Sequence, residues 1–94
     1  MSTIGPQSAT LANVSSSGSS VTIFSATAKA LGRTVYNDST QVLYLAFTSS
    51  AASSSAYTVQ LAAGAYYEFP QPPYSGQVTG IWASANGNAR VTSW

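Results

Sequence analysis

Few side chains in this 94-residue chain could carry acid–base or nucleophilic chemistry. The acids are Asp38 and Glu68, Lys29 is the single lysine, and neither His nor Cys is present. The commonest general base and the strongest nucleophile are therefore missing. Two carboxylates can cleave a glycosidic bond only when a cleft holds them about 5–10 Å apart, and nothing in the sequence brings Asp38 and Glu68 together. A serine nucleophile with Lys29 as its base has no supporting spacing either, so we expect no enzymatic activity and no catalytic residues.

Binding sites for ions, cofactors and nucleic acid are also not expected. A metal site needs several imidazole, thiolate or carboxylate ligands, and no glycine-rich motif for phosphate binding occurs. The formal net charge is +1 with only 5% charged residues, which leaves no basic patch for a phosphate backbone. We predict no metal, no cofactor and no nucleic-acid partner.

Two short segments are typical of turns between antiparallel strands. Asn37 and Asp38 precede Ser39-Thr40 between two apolar runs. We expect Asp38 to set a hairpin turn by bonding nearby backbone amides, with Val35 opposite Leu43 and Arg33 capping a strand edge. Asn86-Gly87 predicts a second hairpin, with a type I′ turn that requires a positive φ at both residues.

Alternating apolar and polar residues predict seven short strands and no helix of useful length. The predicted strands are 21–26, 33–37, 42–47, 57–61, 65–69, 78–83 and 89–94. This pattern favours an all-β fold, a small antiparallel β-sandwich of the jelly-roll or immunoglobulin-like kind; a closed barrel remains the alternative. The predicted core consists of inward-facing apolar residues: Ile23, Val35, Leu43, Leu45, Phe47, Val59, Leu61, Tyr67, Phe69, Ile81 and Val91.

The first 20 residues differ in composition from the remainder. They contain no charge, no continuous apolar run and the linker-like segment 15–20, SSSGSS. We interpret residues 1–20 as a flexible N-terminal arm, which either stays disordered or becomes ordered on a partner, and residues 21–94 as the β-sandwich domain. No signal peptide or transmembrane segment is expected.

The aromatic residues are too many for a core of this size, so some must lie at the surface or at an interface. Three readings stay open: structural cover over the sandwich edges, a subunit or partner interface, and a platform for sugar rings. The candidate interface residues are Tyr36, Tyr44, Tyr66, Tyr74, Trp82 and Trp94.

Three sequence blocks in a fixed order resemble a family of short proteins from the structural genes of tailed bacteriophages and prophages. They are YNDSTQVLYLAF, YTVQLAAGAYYEFP and PPYSGQVTGIWASANGNARVT, within residues 32–94, about two-thirds of the chain. The resemblance implies a virion component without catalytic residues, similar to capsid decoration or cement proteins and to modules of head fibres and tails.

We therefore expect a non-enzymatic bacteriophage virion protein, most simply a capsid decoration or cement protein that forms a homo-oligomer, with a trimer favoured. Its expected partners are itself and the major capsid protein or other virion proteins. It would be assembled in the host cytoplasm and located in the virion, without a membrane partner. The alternatives are a tail, head–tail connector or fibre subunit, and a carbohydrate-binding module that recognises a host surface glycan.

Overall fold

A computed structural model describes residues 7–28 and 30–94, and this part of the chain is all-β. Eight strands are present: β1 (Thr10–Ser15), β2 (Val21–Phe24), β3 (Arg33–Asp38), β4 (Leu43–Ala46), β5 (Val59–Leu61), β6 (Tyr66–Glu68), β7 (Val78–Trp82) and β8 (Asn88–Ser93). Each of the seven predicted strands has a counterpart, with ends that differ by a few residues. In the described ranges no helix offers the length and apolarity needed to cross a bilayer.

The strands form two four-stranded antiparallel sheets. Sheet A has the order β1-β8-β3-β6 and sheet B the order β2-β7-β4-β5. Of strands consecutive in sequence, only β4 and β5 pair with each other. Eight antiparallel strands in this order form a jelly roll, which confirms the predicted β-sandwich.

The predicted hairpin between β3 and β4 is wrong. Val35 in sheet A pairs with Tyr67 and Val91, whereas Leu43 in sheet B pairs with Leu61 and Trp82. The turn after Asp38 therefore carries the chain from one sheet to the other. The Asn86-Gly87 turn does the same, because β7 and β8 lie in different sheets. Alternation reveals which residues of a strand face a core, but it does not distinguish a neighbour in the same sheet from one across the core.

The core lies between the sheets and contains most of the predicted residues. Its buried members are Ile23, Phe24, Val35, Leu43, Leu45, Leu61, Phe69, Val78, Trp82, Ala89 and Val91, with Phe47, Val59 and Tyr67 partly buried against them. The prediction for Ile81 is wrong, since it is only half-buried and lies outside this cluster. In β7 the residues Val78, Gly80 and Trp82 face inward. Either face of this strand carries a large apolar residue, so alternation alone did not choose between them.

The described part of the predicted arm includes a strand. β1 pairs with β8 along its whole length, from Thr10 opposite Ser93 to Ser15 opposite Asn88. The predicted boundary at residue 20 is therefore wrong for residues 10–15, which belong to sheet A. Residues 1–6 of the predicted arm lie outside the described residues. The serines and the absence of charge are typical of a linker, and β1 shows little alternation of apolar and polar residues. The sequence therefore did not predict this strand.

Candidate functional site

Asn37, and not Asp38, organises the turn between β3 and β4. Its side chain is fully buried, and its Nδ2 donates to the carbonyl oxygens of Gln41 at 2.8 Å and of Leu61 and Ala62 at 3.1 Å. Its Oδ1 accepts from Ser39 Oγ at 2.7 Å and from Trp82 Nε1 at 3.3 Å. A single amide thus satisfies groups from two turns and from β7, which is what a buried polar side chain requires.

Asp38 lies on the outer face of sheet A and forms an ion pair. Its Oδ2 accepts from Arg90 Nε at 2.7 Å, and both side chains are about half exposed. Arg90 also donates from NH1 to Asn13 Oδ1 at 3.0 Å. The predicted backbone-bonding role of Asp38 is therefore wrong, because Asn37 turns inward at the adjacent position and takes that role. Such an exposed pair contributes little to stability.

Arg33 is buried inside the sandwich and does not cap a strand edge. Its NH1 donates to the carbonyl oxygens of Tyr74 and Gly76, both at 2.8 Å. Its NH2 donates to those of Ser25 and Ser75 at 2.8 and 3.3 Å. The guanidinium carbon lies 4.8 Å from the centre of the Phe24 ring. Desolvation by burial lowers the pKa of Arg33 from its ordinary value, yet the group stays charged at neutral pH.

The cleft beside Arg33 has a volume of about 370 Å³ and is lined by Phe24, Ser25, Arg33 and Trp94 among others. Both terminal guanidinium nitrogens already donate to carbonyl oxygens, and Arg33 Nε is buried without a partner among the described residues. The arginine therefore fastens segment 74–76 to β3 and offers no accessible donor to a ligand in this cleft.

The turn between β7 and β8 rests on the turn between β3 and β4. Gly87 has a φ of 69°, whereas no non-glycine residue in the described ranges, Asn86 included, has a positive φ. The predicted type I′ geometry is therefore wrong. Asn86 instead accepts a hydrogen bond at its Oδ1 from the Thr40 backbone N–H at 3.1 Å. The residues predicted to form two independent turns are therefore brought into contact by the fold.

The six aromatic candidates divide between core and surface. Trp82 is 1% exposed, so its predicted place at an interface is wrong for this chain. Tyr74 stacks on Phe47 with ring centres 5.1 Å apart and covers the end of the core. Trp94 is half-buried, and its backbone pairs with that of Gly32 in both directions. The remaining three tyrosines lie on the outer faces of the sheets.

The outer face of sheet A carries two exposed tyrosines on adjacent strands. Tyr66 is 61% exposed and lies directly opposite Tyr36, which is 39% exposed. Tyr36 in turn lies opposite Arg90, and Arg90 opposite Asn13. Glu68 lies on the same face and forms no ion pair with another described residue. The row Tyr66–Tyr36–Arg90–Asn13 is called the tyrosine row below.

The outer face of sheet B is uncharged in the part of the chain described. Tyr44 lies between Ile81 and Gln60 in neighbouring strands. Its ring contacts that of Tyr57, with centres 5.0 Å apart, and Tyr57 donates to Gln60 Oε1 at 3.2 Å. Tyr57 was not among the candidate interface residues, because alternation along the predicted strand 57–61 places it on the same face as the core residues Val59 and Leu61. This side presents aromatic carbon, hydroxyls and amides, a surface chemistry that suits protein contacts.

Acidic and metal-ligating side chains are few in the described residues. No group of three or more His, Cys, Asp or Glu side chains that could hold a metal ion occurs in residues 7–28 and 30–94. One of the two carboxylates is already paired with Arg90. Lys29, the candidate base for a serine nucleophile, lies outside the described residues.

Comparisons of the chain with protein-family models, with curated proteins and with solved structures returned no match. A functional interpretation of this protein therefore depends on the surfaces and edge strands of the domain.

Proposed function

We propose that this protein is a non-enzymatic structural component of a bacteriophage virion, which self-associates and decorates or cements the capsid surface. The observation that carries the proposal is the unusual surface of the jelly roll. Its outer faces present tyrosines, hydroxyls and amides with a single ion pair among the described residues. Charge is depleted and aromatic residues are enriched where protein surfaces meet.

The placement of the few charges supports an assembly role. Asp38, Glu68 and Arg90 all lie on the outer face of sheet A, and Arg33 lies inside. The described outer face of sheet B can therefore be covered by a neighbour without desolvating any charge. Desolvating a charge is among the largest costs of forming an interface.

Both the fold and the sequence resemblance are compatible with a virion protein, but the fold is the weaker argument. Jelly rolls occur in viral capsid proteins, but also in lectins and cupins. Fold alone does not assign function. The three sequence blocks that resemble phage structural proteins favour the viral reading, and the surface chemistry is compatible with it.

Copy number in purified virions tests the proposal most directly. Quantitative mass spectrometry against the major capsid protein should find hundreds of copies in each particle, because decoration follows the symmetry of the capsid. A handful to a few dozen copies would move the protein to the neck, tail or fibres. Absence from the particle would overturn the virion assignment altogether.

A second candidate function is glycan binding, which the tyrosine row favours. Tyr36 and Tyr66 lie side by side on a sheet face and could stack on successive sugar rings. Arg90 and Glu68 beside them could bond sugar hydroxyls. Two other aromatic candidates do not contribute to such a platform, since Trp82 is buried and Tyr74 stacks on Phe47.

Calorimetric titration with host surface polysaccharide separates this candidate from decoration alone. If glycan binds at the tyrosine row, Tyr66→Ala should weaken binding at least tenfold while Tyr57→Ala, on the other sheet, leaves it unchanged. Equal loss in both variants, or no heat with the unaltered protein, would reject the platform.

A further inference from the structure

The four edge strands of the sandwich differ in how well they are protected against pairing with another strand. β2 contains an irregularity in its pairing between Thr22 and Phe24. β5 and β6 are each three residues long, and Pro70 follows shortly after β6. Short length, bulges and proline are common means of blocking an edge. Three of the edges therefore carry such a device.

β1 carries none of these devices. It has six residues, TLANVS, with no charge and no proline, and its pairing with β8 runs without a break. In the described part of the chain, no strand lies on its other side. A long, regular and uncharged edge is the kind that accepts a further strand.

The backbone groups that face this open edge can be assigned. Ser16 N–H donates to the Gly87 carbonyl at 3.1 Å, which continues the ladder between β1 and β8. Bonding direction alternates along an antiparallel strand. Val14 and Ala12 therefore bond towards β8, and the N–H and C=O groups of Ser15, Asn13 and Leu11 point away from it.

β1 also buries very little within its own chain. Only Val14 is half-buried, and the other residues of the strand are exposed on both faces. Leu11 is 76% exposed, the largest value among the large hydrophobic residues of the described ranges. β1 is held to the fold by its pairing with β8, by the Arg90–Asn13 hydrogen bond and by the packing of Val14 against the core. Pairing at its open edge would add backbone hydrogen bonds and cross-strand side-chain contacts to a strand that has few contacts of its own.

We propose that β1 pairs antiparallel with β1 of a second copy of this chain, about a two-fold axis that is perpendicular to sheet A and passes midway between the two copies of Asn13. The axis brings Asn13 opposite Asn13 of the second copy and Leu11 opposite Ser15. These are the residues whose backbone groups are free, so about six hydrogen bonds form. Ala12 then lies opposite Val14 on the inward face, and the two copies of sheet A become one continuous eight-stranded sheet.

A second copy is the occupant that the edge itself favours. A two-fold contact requires a surface complementary to itself, and an antiparallel strand without charge meets this condition. The nearest cation, Arg90, is already paired with Asp38, so no two like charges face each other across the axis. The other edges are blocked, which disfavours a head-to-tail ring of three copies built through strand pairing.

This inference deepens the self-association part of the proposed function and rests on it. Sedimentation velocity from low to several hundred micromolar protein tests it. The unaltered chain should sediment with twice the 9.7 kDa mass of one chain. Ser15→Pro removes an N–H that points away from β8, so the variant should stay folded and sediment as a monomer. Leu11→Lys adds a gatekeeping charge at a side chain that is already exposed, and should weaken association at least tenfold.

Glu68→Pro is the matched control, because it places proline at an outward-facing N–H on the opposite edge of the same sheet. It should leave the two-chain mass unchanged, with the buried Trp82 reporting on folding through its fluorescence. A two-chain or three-chain mass that persists in both Ser15→Pro and Leu11→Lys overturns the β1 pairing but leaves self-association intact. A monomeric unaltered chain at every concentration overturns both, and virion copy number tests the location separately.

Discussion

Asn37 joins three segments at one end of the sandwich through one side chain. Its amide bonds the β3–β4 turn, the β5–β6 turn and the indole of Trp82. Because it is fully buried, each of these groups would lose its partner without gaining water if the amide were removed. A buried donor or acceptor left unpaired costs about 1–3 kcal/mol.

Asn37 and its neighbour Asp38 should contribute very differently to stability. Asn37→Ala should lower the free energy of unfolding by about 3–4 kcal/mol, since it leaves several buried groups unpaired. Asp38→Ala should lower it by only about 0.5 kcal/mol, since it removes an exposed ion pair. Urea denaturation followed by tryptophan fluorescence measures both. A larger effect at Asp38 than at Asn37 would contradict the assignment of the turn to the amide.

Arg33 shows how a charge can be placed where no carboxylate compensates it. Carbonyl dipoles from the ends of two loops surround the guanidinium, and the Phe24 ring lies against it. A lysine has one nitrogen and could not span these acceptors, whereas the planar fork of arginine reaches them together. The residue therefore gives a fixed conformation to a loop that has no strand of its own.

The turn between β7 and β8 depends on one glycine. Gly87 combines a φ of 69° with tight packing: an added Cβ would overlap the Asp38 carbonyl oxygen and lie 2.9 Å from Ser39 Cα. Gly64 has a similar φ of 75°, but nothing lies within 4 Å of the same position. The two glycines therefore separate backbone strain from steric overlap.

Alanine substitutions at these glycines should distinguish backbone strain from steric overlap. Gly64→Ala should cost about 1 kcal/mol, the strain of a left-handed conformation in a residue with a Cβ. Gly87→Ala should cost about 3 kcal/mol, because it also forces the two turns apart. Gly18→Ala, with open space and no positive φ, serves as the control and should leave stability unchanged. Thermal unfolding measured by circular dichroism ranks the three, and equal losses at 64 and 87 would refute the contact between the turns.

Two features of the sandwich coincide. The described charges avoid the outer face of sheet B, and the protective devices of edge strands are missing from β1 alone. Together they describe a domain that can be covered on a face and extended at an edge at little electrostatic cost. Both properties are compatible with the assembly role proposed above, whereas a free monomer normally guards its edges.

Alternation and turn residues were sufficient to predict the fold class, the seven strands after residue 20 and most of the core. These patterns are local: whether a residue faces inward depends on its neighbours two positions away. Asn37 was also predicted to be a turn residue, together with Asp38. Features that depend only on residues close in sequence could therefore be predicted from the sequence.

The tertiary structure alone decided which strands pair, where Arg33 lies, and which of Ile81 and Trp82 enters the core. Strand partners depend on how two sheets close around a shared core, and the same alternation suits a neighbour beside a strand and one across from it. β1 is the clearest case, because its sequence shows little alternation of apolar and polar residues and only pairing with β8 makes it a strand. The open edge follows from the same strand order, because in the described part of the chain β1 has β8 on one side and no strand on the other.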